Sequence, residues 1–163
     1  MLNALKSKSP KESYVETNEI VLPSHANAIG TIFGGVLMSW IDIAAAISAQ
    51  RYSKRIAVTA GVDALHFKAP VHVGDTVNIK AKVVHTGKTS MLVFVEVSSE
   101  NPLSSEKRQC VTAHVSMVAL DENRRPTQVP PLLLSTAEEK KAFQIAAERR
   151  TGAGDMLQVL FIS

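Results

Sequence analysis

The chain has few of the features that would tie it to disulfides, membranes or nucleic acids. It contains one cysteine, Cys110, so no intramolecular disulfide can form and a reducing compartment is expected. No apolar run reaches membrane-spanning length, and the N-terminus lacks the apolar core of a secretory signal, so the cytoplasm is the expected location. Aromatic residues make up 5% of the chain, and the formal net charge of +3 comes from scattered Lys and Arg. Such a surface argues against a nucleic-acid-binding protein.

The composition that is present fits one folded domain. Hydrophobic residues make up 45% of the chain and charged residues 20%, which is ordinary for a globular protein. A length of 163 residues is enough for one substantial core, and too short for two independent domains to be expected. Cys110 lies in an alternating apolar stretch, so we expect a small buried side chain rather than a nucleophile.

The hydrophobic pattern changes from a helical period to a strand period along the chain. Residues 36–51 are apolar almost all round, which predicts a long buried helix. Alternating apolar residues predict one strand before this helix and four after it, at residues 14–22, 56–67, 77–83, 91–97 and 110–120. This order predicts an α+β fold in which an antiparallel sheet wraps around the central helix. Dimerisation is expected to cover the exposed sheet edges.

The remaining segments are expected to be peripheral. Residues 1–12 are rich in Lys and Ser and predict a flexible tail, so the folded domain is expected over residues 13–122. Residues 123–150 are expected to form an extended, proline-containing connection and a C-terminal helix. A hydroxyl residue followed three positions later by glutamate, within residues 135–139, predicts a capping box at the start of that helix. Residues 151–163 are expected to form a second tail.

A single acidic residue, Asp42, interrupts the apolar helix. Apart from His25, no basic residue occurs between residues 23 and 50, so no cation close in sequence neutralises the carboxylate. An ionised carboxylate on a buried helix needs partners or suffers a large desolvation penalty. We therefore expect a chemical role for Asp42. The structural alternative is that its side chain caps a neighbouring loop.

Two further segments make the pattern around Asp42 recognisable. Residues 25–35 read His-Ala-Asn-Ala-Ile-Gly-Thr-Ile-Phe-Gly-Gly, and residues 66–75 read His-Phe-Lys-Ala-Pro-Val-His-Val-Gly-Asp. Together with Asp42 they resemble the acyl-CoA thioesterases of the hotdog fold, in particular the bacterial acyl-CoA hydrolases, which are similar to single domains of the animal cytosolic acyl-CoA thioesterases. The resemblance covers roughly residues 14–121. Its most specific part is the spacing of Asn27, Gly34, Gly35 and Asp42.

The resemblance implies an enzyme of fatty acid metabolism that hydrolyses fatty acyl-CoA to free fatty acid and CoA, without a metal or bound cofactor. It implies a homodimer whose sheets join edge to edge, often assembled into a hexamer as a trimer of dimers. Active sites in the family lie at the dimer interface, where opposite subunits supply an asparagine and an aspartate. Asn27 and Asp42 match those positions. Neither a nucleic acid nor a membrane is an implied partner.

The matched residues suit thioester hydrolysis. A carboxylate can act as general base on water, or attack the carbonyl directly and form an anhydride, and we favour the base. Gly34 and Gly35 offer unpaired amides at a helix N-terminus, which can stabilise an oxyanion. Asn27 can donate its amide to the carbonyl or hold the attacking water. The structural alternatives are a simple turn at Asn27 and a tight helix entry at the glycines.

Two further predictions concern support of the base and binding of CoA. Thr59, on the strand after the helix, is a possible hydrogen-bond partner near the catalytic carboxylate. The turn formed by Gly87, Lys88, Thr89 and Ser90 resembles the family's CoA-binding segment, where hydroxyls and a cation meet the nucleotide phosphates. The structural alternative is a plain hairpin turn.

The sequence leaves two other functions open. A hotdog dehydratase acting on a hydroxyacyl thioester would need a histidine with an acidic residue, and His25 with Asp42 could supply them. A non-catalytic acyl-CoA-binding or regulatory module would need an attached DNA-binding segment, for which residues 1–12 are too short. We therefore favour the hydrolase. His25 and His66 are assigned no catalytic role, because neither has a second ligand at metal spacing and isolated histidines are usually structural.

Overall fold

A computed structural model of the chain describes residues 4–152, with side chains to residue 149. Its regular elements, in chain order, are β1 (Val15–Ile20), α1 (Gly34–Ser53), β2 (Ile56–Phe67), β3 (Thr76–Thr86), β4 (Ser90–Glu100), β5 (Lys107–Leu120) and α2 (Ala137–Gly152). The strands form one antiparallel sheet in the order β1-β3-β4-β5-β2. The predicted α+β fold, with a sheet around a long helix, is therefore confirmed, and β1 and β2 form the two sheet edges.

Helix α1 lies on one face of the sheet because its apolar residues recur at helical spacing. Leu37, Ile41, Ala45 and Ala49 are at most 2% exposed and belong to the main core. Alternate residues of β3, β4 and β5 face this helix and complete the same core. Full burial of one Leu or Ile side chain contributes about 1.5–3 kcal/mol, so burial of this face stabilises the packing of the helix on the sheet.

The prediction that α1 is buried on every side is wrong for the single chain. Met38 is 42% exposed and Ile43 is 56% exposed, and Phe33, just before the helix, is 57% exposed. Apolar residues all round a helix do not distinguish burial within one chain from burial against a second one. The chain therefore presents an apolar strip along the side of α1 that faces away from the sheet.

Helix α2 lies against the opposite face of the sheet, and its predicted capping box is confirmed. The amide of Glu139 donates to Thr136 Oγ1 at 3.1 Å, while the Glu139 carboxylate accepts the amides of Ser135 and Thr136 at 2.7 and 3.2 Å. These bonds satisfy backbone donors that the first turn of a helix leaves free.

Among the described residues, no helix combines the length and the apolar character needed to cross a bilayer.

A second, smaller core lies between α2 and the outer face of the sheet. Ala146 of α2 packs with Val84 and Leu92 there. The neighbouring His114 is 8% exposed, and its pKa is lowered to about 4, mainly because burial disfavours the charged imidazole and also because Arg149 adds positive charge nearby. His114 is therefore a neutral, structural histidine at physiological pH.

The segment predicted as a flexible N-terminal tail is packed from Lys8 onward. The Lys8 amide donates to the Pro131 carbonyl at 3.0 Å, and Lys8 Nζ donates to the Tyr52 carbonyl at 2.9 Å. A short 3-10 helix, Pro10–Ser13, follows, and Ser13 is fully buried. These partners are distant in sequence, so local composition does not reveal them. Residues 1–3, and the predicted second tail beyond residue 152, lie outside the described residues.

Candidate active site

Asp42 lies at the boundary between α1 and the edge strand β2. It follows Ile41, which faces the sheet, and one residue of an α-helix turns the side-chain direction by about 100°. Asp42 is therefore half-buried beside β2 rather than inside the core. Thr59 of β2 donates from Oγ1 to Asp42 Oδ1 at 2.5 Å. The structure thus brings together the predicted base and its predicted support at the β2 edge of the sheet, where residues 4–152 place no further strand.

Met117 of β5 lies directly behind this pair. Its sulfur is 3.4 Å from Thr59 Oγ1, and its side chain is fully buried. In the sheet, Thr59 lies opposite Met117, and Met117 lies opposite Met91 of β4. The contact of Met117 with Thr59 has no signal in the sequence. Alternation places Met117 on the inner face of β5, but its neighbour on β2 depends on a register that shifts just after Thr59.

Asn27 lies in the loop that leads into α1, and its side chain holds that loop together. Oδ1 accepts the amides of Ile29 and Thr31 at 3.0 and 3.2 Å, and Nδ2 donates to Thr31 Oγ1 at 2.7 Å. The structural alternative, a turn at Asn27, is therefore confirmed. A primary amide has two N–H donors. Within residues 4–152 only one of them is used, so the second can still donate to a substrate carbonyl.

The first amides of α1 belong to Gly34 and Gly35. Among the described residues neither amide has an acceptor, whereas those of Val36 and Leu37 donate to the Phe33 carbonyl at 3.0 and 3.3 Å. A Cβ at position 34 would meet nothing within 4 Å, and one at position 35 would meet the Phe33 ring at 2.9 Å. The backbone at Gly34 is therefore open to close approach, and the two amides at the positive end of the helix can stabilise an oxyanion.

A single chain does not bring these amides to Asp42. Gly35 and Asp42 lie on the same side of α1, about two turns and roughly 10 Å apart. In a reactive complex the attacking atom lies about 3–3.5 Å from the carbonyl carbon. One helix therefore holds Asp42 and the Gly35 amide about three such distances apart.

The predicted CoA-binding turn joins β3 to β4. Its Gly87 amide donates to the Ser90 carbonyl at 2.8 Å, as in a hairpin turn. Lys88 is exposed and Thr89 is half-buried, so both are accessible to a ligand, whereas the fold buries Ser90. Because β5 separates β4 from β2, these residues lie at least about 10 Å from Thr59 at the usual strand spacing. The turn and the base are thus separate parts of the surface.

The other candidate residues have structural partners. Nδ1 of His25 accepts the Leu22 amide at 3.1 Å, and its ring packs edge-on against Trp40 with the ring centroids 5.2 Å apart. In the described part of the chain it makes no hydrogen bond to Asp42, so the dehydratase reading gains no support. Cys110 is fully buried, as predicted. Residues 4–152 contain no group of three side chains placed to bind a metal.

Known proteins with similar sequences are named for one activity. The family model that matches is the Thioesterase superfamily, over residues 29–106. A Bacillus subtilis protein named as an uncharacterised acyl-CoA thioester hydrolase is 39% identical over 139 residues, which cover 85% of this chain and 81% of that protein.

Two of the solved structures that share the fold show the extent of the similarity. A crystal structure of an apo hexameric acyl-CoA thioesterase superposes with a TM-score of 0.87 at 36% identity, covering 91% of this chain and 95% of the other. An acyl-CoA hydrolase from Staphylococcus aureus, in complex with butyryl-CoA, CoA and CoA disulfide, superposes with a TM-score of 0.83 at 32% identity, covering 90% and 92%. Alanine variants of the latter change an asparagine, an aspartate and a threonine. Those three residues are spaced in that chain as Asn27, Asp42 and Thr59 are in this one.

Proposed function

Since this chain belongs to the acyl-CoA thioester hydrolases of the thioesterase superfamily, we propose that it hydrolyses fatty acyl-CoA to free fatty acid and CoA, with Asp42 as general base. The observation that carries this assignment is the hydrogen bond from Thr59 to Asp42, which holds a half-buried carboxylate at the open edge of the sheet. The matched spacing of the residues changed to alanine in the Staphylococcus aureus hydrolase supports the same choice.

We propose that the active enzyme is a homodimer joined along β2. The exposed fractions of Ile56, Val62 and Phe67 on this strand are 65%, 41% and 57%, and no strand within residues 4–152 pairs with its outer side, so the strand forms an apolar edge. Such an edge invites pairing with another strand. Met38 and Ile43 extend the exposed apolar surface onto α1. A second copy related by a twofold axis would cover both parts, because each subunit would offer the same surface to the other.

The twofold arrangement would also complete the active site. If two α1 helices cross antiparallel near Met38, Gly35 of the partner subunit comes to lie opposite Asp42, because each is about one helical turn from that crossing point. Asn27 of the partner subunit precedes the same helix end and would arrive with its glycines. The base and the oxyanion donors, which one chain holds apart, would then face one thioester.

In the proposed reaction, Asp42 accepts a proton from a water molecule as the water oxygen attacks the thioester carbonyl carbon. Thr59 holds Oδ1, which leaves Oδ2 to take the proton. The amides of Gly34 and Gly35 and the second N–H of Asn27, all of the partner subunit, stabilise the oxyanion. When the C–S bond breaks, Asp42 returns the proton to the leaving thiolate, which gives CoA and the free acid. These steps use no cofactor, and we propose that none is needed.

Separate observations support the proposals for CoA binding and for the higher assembly. Lys88 and Thr89 are the accessible residues of the β3–β4 turn and would contact the CoA phosphates, with Gly87 and Ser90 shaping the turn. The similarity to a hexameric thioesterase supports a trimer of dimers. The single buried thiol of Cys110 suits a reducing compartment, so we propose a cytoplasmic enzyme.

Release of free thiol from a panel of acyl-CoAs tests the proposed function. Wild type is expected to release CoA, and Asp42→Ala to lose about 100- to 10,000-fold in rate, as is typical when a general base is removed. Glu19→Gln is the matched control, because it removes an exposed carboxylate from β1, the opposite edge of the sheet. Absence of thiol release from every acyl-CoA would refute the hydrolase. A folded Asp42→Ala enzyme with the wild-type rate would refute the role of Asp42.

A further inference from the structure

We infer that Met117, with Met91 behind it, sets the length of the acyl chain that the site accepts. This inference rests on the proposed function, because it takes the thioester to react beside Asp42. The structure supplies three supporting facts: the position of the Met117 sulfur, the pairing of the two methionines across the sheet, and the burial of both side chains.

Met117 is a fully buried side chain behind the Asp42–Thr59 pair. Asp42 Oδ1 accepts from Thr59 Oγ1, and the same hydroxyl oxygen is 3.4 Å from Met117 Sδ. A single hydroxyl, that of Thr59, therefore lies between the methionine sulfur and the base. Thr59 itself is exposed, whereas Met117 is 0% exposed, so the step from Thr59 to Met117 leads from solvent into the core.

The chemistry of the substrate selects this inward route for the acyl chain. The CoA part carries phosphates and must stay in water, so the apolar acyl chain has to leave the thioester in another direction. On the inner face of the sheet, the thioether of Met117 is an apolar group that touches the Asp42–Thr59 pair. Burying one methylene of the chain against it is favourable by about 0.8 kcal/mol, and that gain is absent in solvent.

The pairing across the sheet gives the two methionines an order. Met117 lies opposite Thr59, and Met91 lies opposite Met117 one strand further in; the two are 0% and 1% exposed. A chain that enters beside Thr59 therefore meets Met117 first and Met91 second. Methionine is unbranched and has three rotatable side-chain bonds, so it can move aside for a few carbons where a branched residue would not. Beyond that adaptation, the two side chains close the space.

The test measures kcat/KM for straight-chain acyl-CoAs from acetyl-CoA to palmitoyl-CoA. Met117→Ala removes the three heavy atoms beyond Cβ, so the longest well-accepted chain is expected to grow by about three carbons. For the first chain length beyond the wild-type limit, kcat/KM should rise roughly tenfold or more. Met91→Ala alone should shift the limit less than Met117→Ala does, because Met117 still stands in front of it, while the double variant should extend the limit beyond that of Met117→Ala.

Ile79→Ala is the matched control. Ile79 is 1% exposed and belongs to the same core, but it pairs with Val97, at the end of β4 far from Met91. It should lower stability without moving the chain-length profile. Met117→Val covers the case in which Met117→Ala does not fold, because valine is shorter than methionine but leaves a smaller cavity than alanine. It should shift the chain-length limit in the same direction.

The outcomes separate this inference from the proposed function. Thiol release by wild type with the same profile in Met117→Ala, Met117→Val and the double variant would overturn the inference and leave the hydrolase in place. A shift produced by Ile43→Ala on the open side of α1, and not by the Met117 variants, would overturn it as well, since the chain would then leave along the helix surface. Absence of thiol release by wild type from every acyl-CoA would refute the hydrolase first and the inference with it.

Discussion

A site shared between two subunits predicts that two inactive variants restore activity when mixed. In Asn27→Ala dimers every site lacks the asparagine, and in Asp42→Ala dimers every site lacks the base, so each variant alone should show only background thiol release. The reason lies in α1, which separates Asp42 from the glycines and the Asn27 loop of its own chain by about two helical turns. A mixed dimer would pair the intact Asp42 of one subunit with the intact Asn27 of the other.

The size of the recovery follows from counting sites. After random exchange in an equal mixture, about half of the dimers contain one subunit of each kind, since the interface is the same for all pairs. Each mixed dimer has one complete site and one site that lacks both residues. The mixture should therefore reach about a quarter of the wild-type activity per subunit. Thiol release is measured before and after exchange, and native mass spectrometry of differently tagged subunits confirms that exchange has taken place.

A second mixture tests the same geometry in the opposite direction. Wild type mixed equally with the double variant Asn27→Ala/Asp42→Ala starts at about half of the wild-type activity per subunit. If sites are shared, exchange makes every mixed dimer inactive, and activity should fall to about a quarter. If each site lies within one chain, the first mixture stays at background and the second stays at half. That pair of results, with exchange confirmed, would refute the shared site.

Three further predictions concern single residues. Thr59→Ala should lower kcat about 10- to 100-fold, because it removes a hydrogen bond to a charged group. Thr59→Ser keeps the hydroxyl and should retain most of the wild-type kcat. Equal rates in Thr59→Ala and wild type would contradict a positioning role for Thr59. Lys88→Ala should raise KM for acyl-CoA, leave kcat nearly unchanged and weaken the dependence of KM on salt. An unchanged KM would mean that residues 87–90 form a structural hairpin turn and do not bind CoA. Urea unfolding should show stability falling from pH 6.5 to 4, because the unfolded chain protonates His114 near 6.5 while the folded-state pKa is about 4; in His114→Gln this part of the decline should vanish.

The elements of the fold were predictable because hydrophobic period is a local property. The predicted strand at residues 56–67 coincides with β2, and the predicted helix at residues 36–51 lies within α1. At its C-terminal end α1 runs two residues beyond the prediction, to Ser53, and this last turn has a tertiary partner. Tyr52 in the last turn is fully buried, and its hydroxyl donates to the Pro130 carbonyl at 3.0 Å. That partner lies far along the chain, so the helix pattern alone gives no sign of it.

The candidate site was predictable by residue type and not by geometry. Asp42 stands out because it is charged in an apolar helix, and that signal needs no structure. For Asn27 the sequence set a structural role against a catalytic one. Within the described residues the two are compatible, since closing the loop uses one of the two amide N–H donors. Met117 carries no local signal. It becomes a neighbour of Thr59 through strand pairing, and the register shift in β2 breaks simple counting along the two strands.

The open face of α1 and the open edge of β2 bear on the same chemical requirement. Hydrogen bonds and charges act most strongly where water is excluded, so a base in contact with bulk solvent would stabilise a transition state poorly. In the single chain Asp42 is half-buried and Thr59 is exposed, so solvent reaches the pair. Solvent reaches these two residues beside the apolar surface that the proposed dimer would cover. Assembly would therefore exclude water from the base and deliver the oxyanion donors in one step. A single subunit would then contain every catalytic residue and no complete active site.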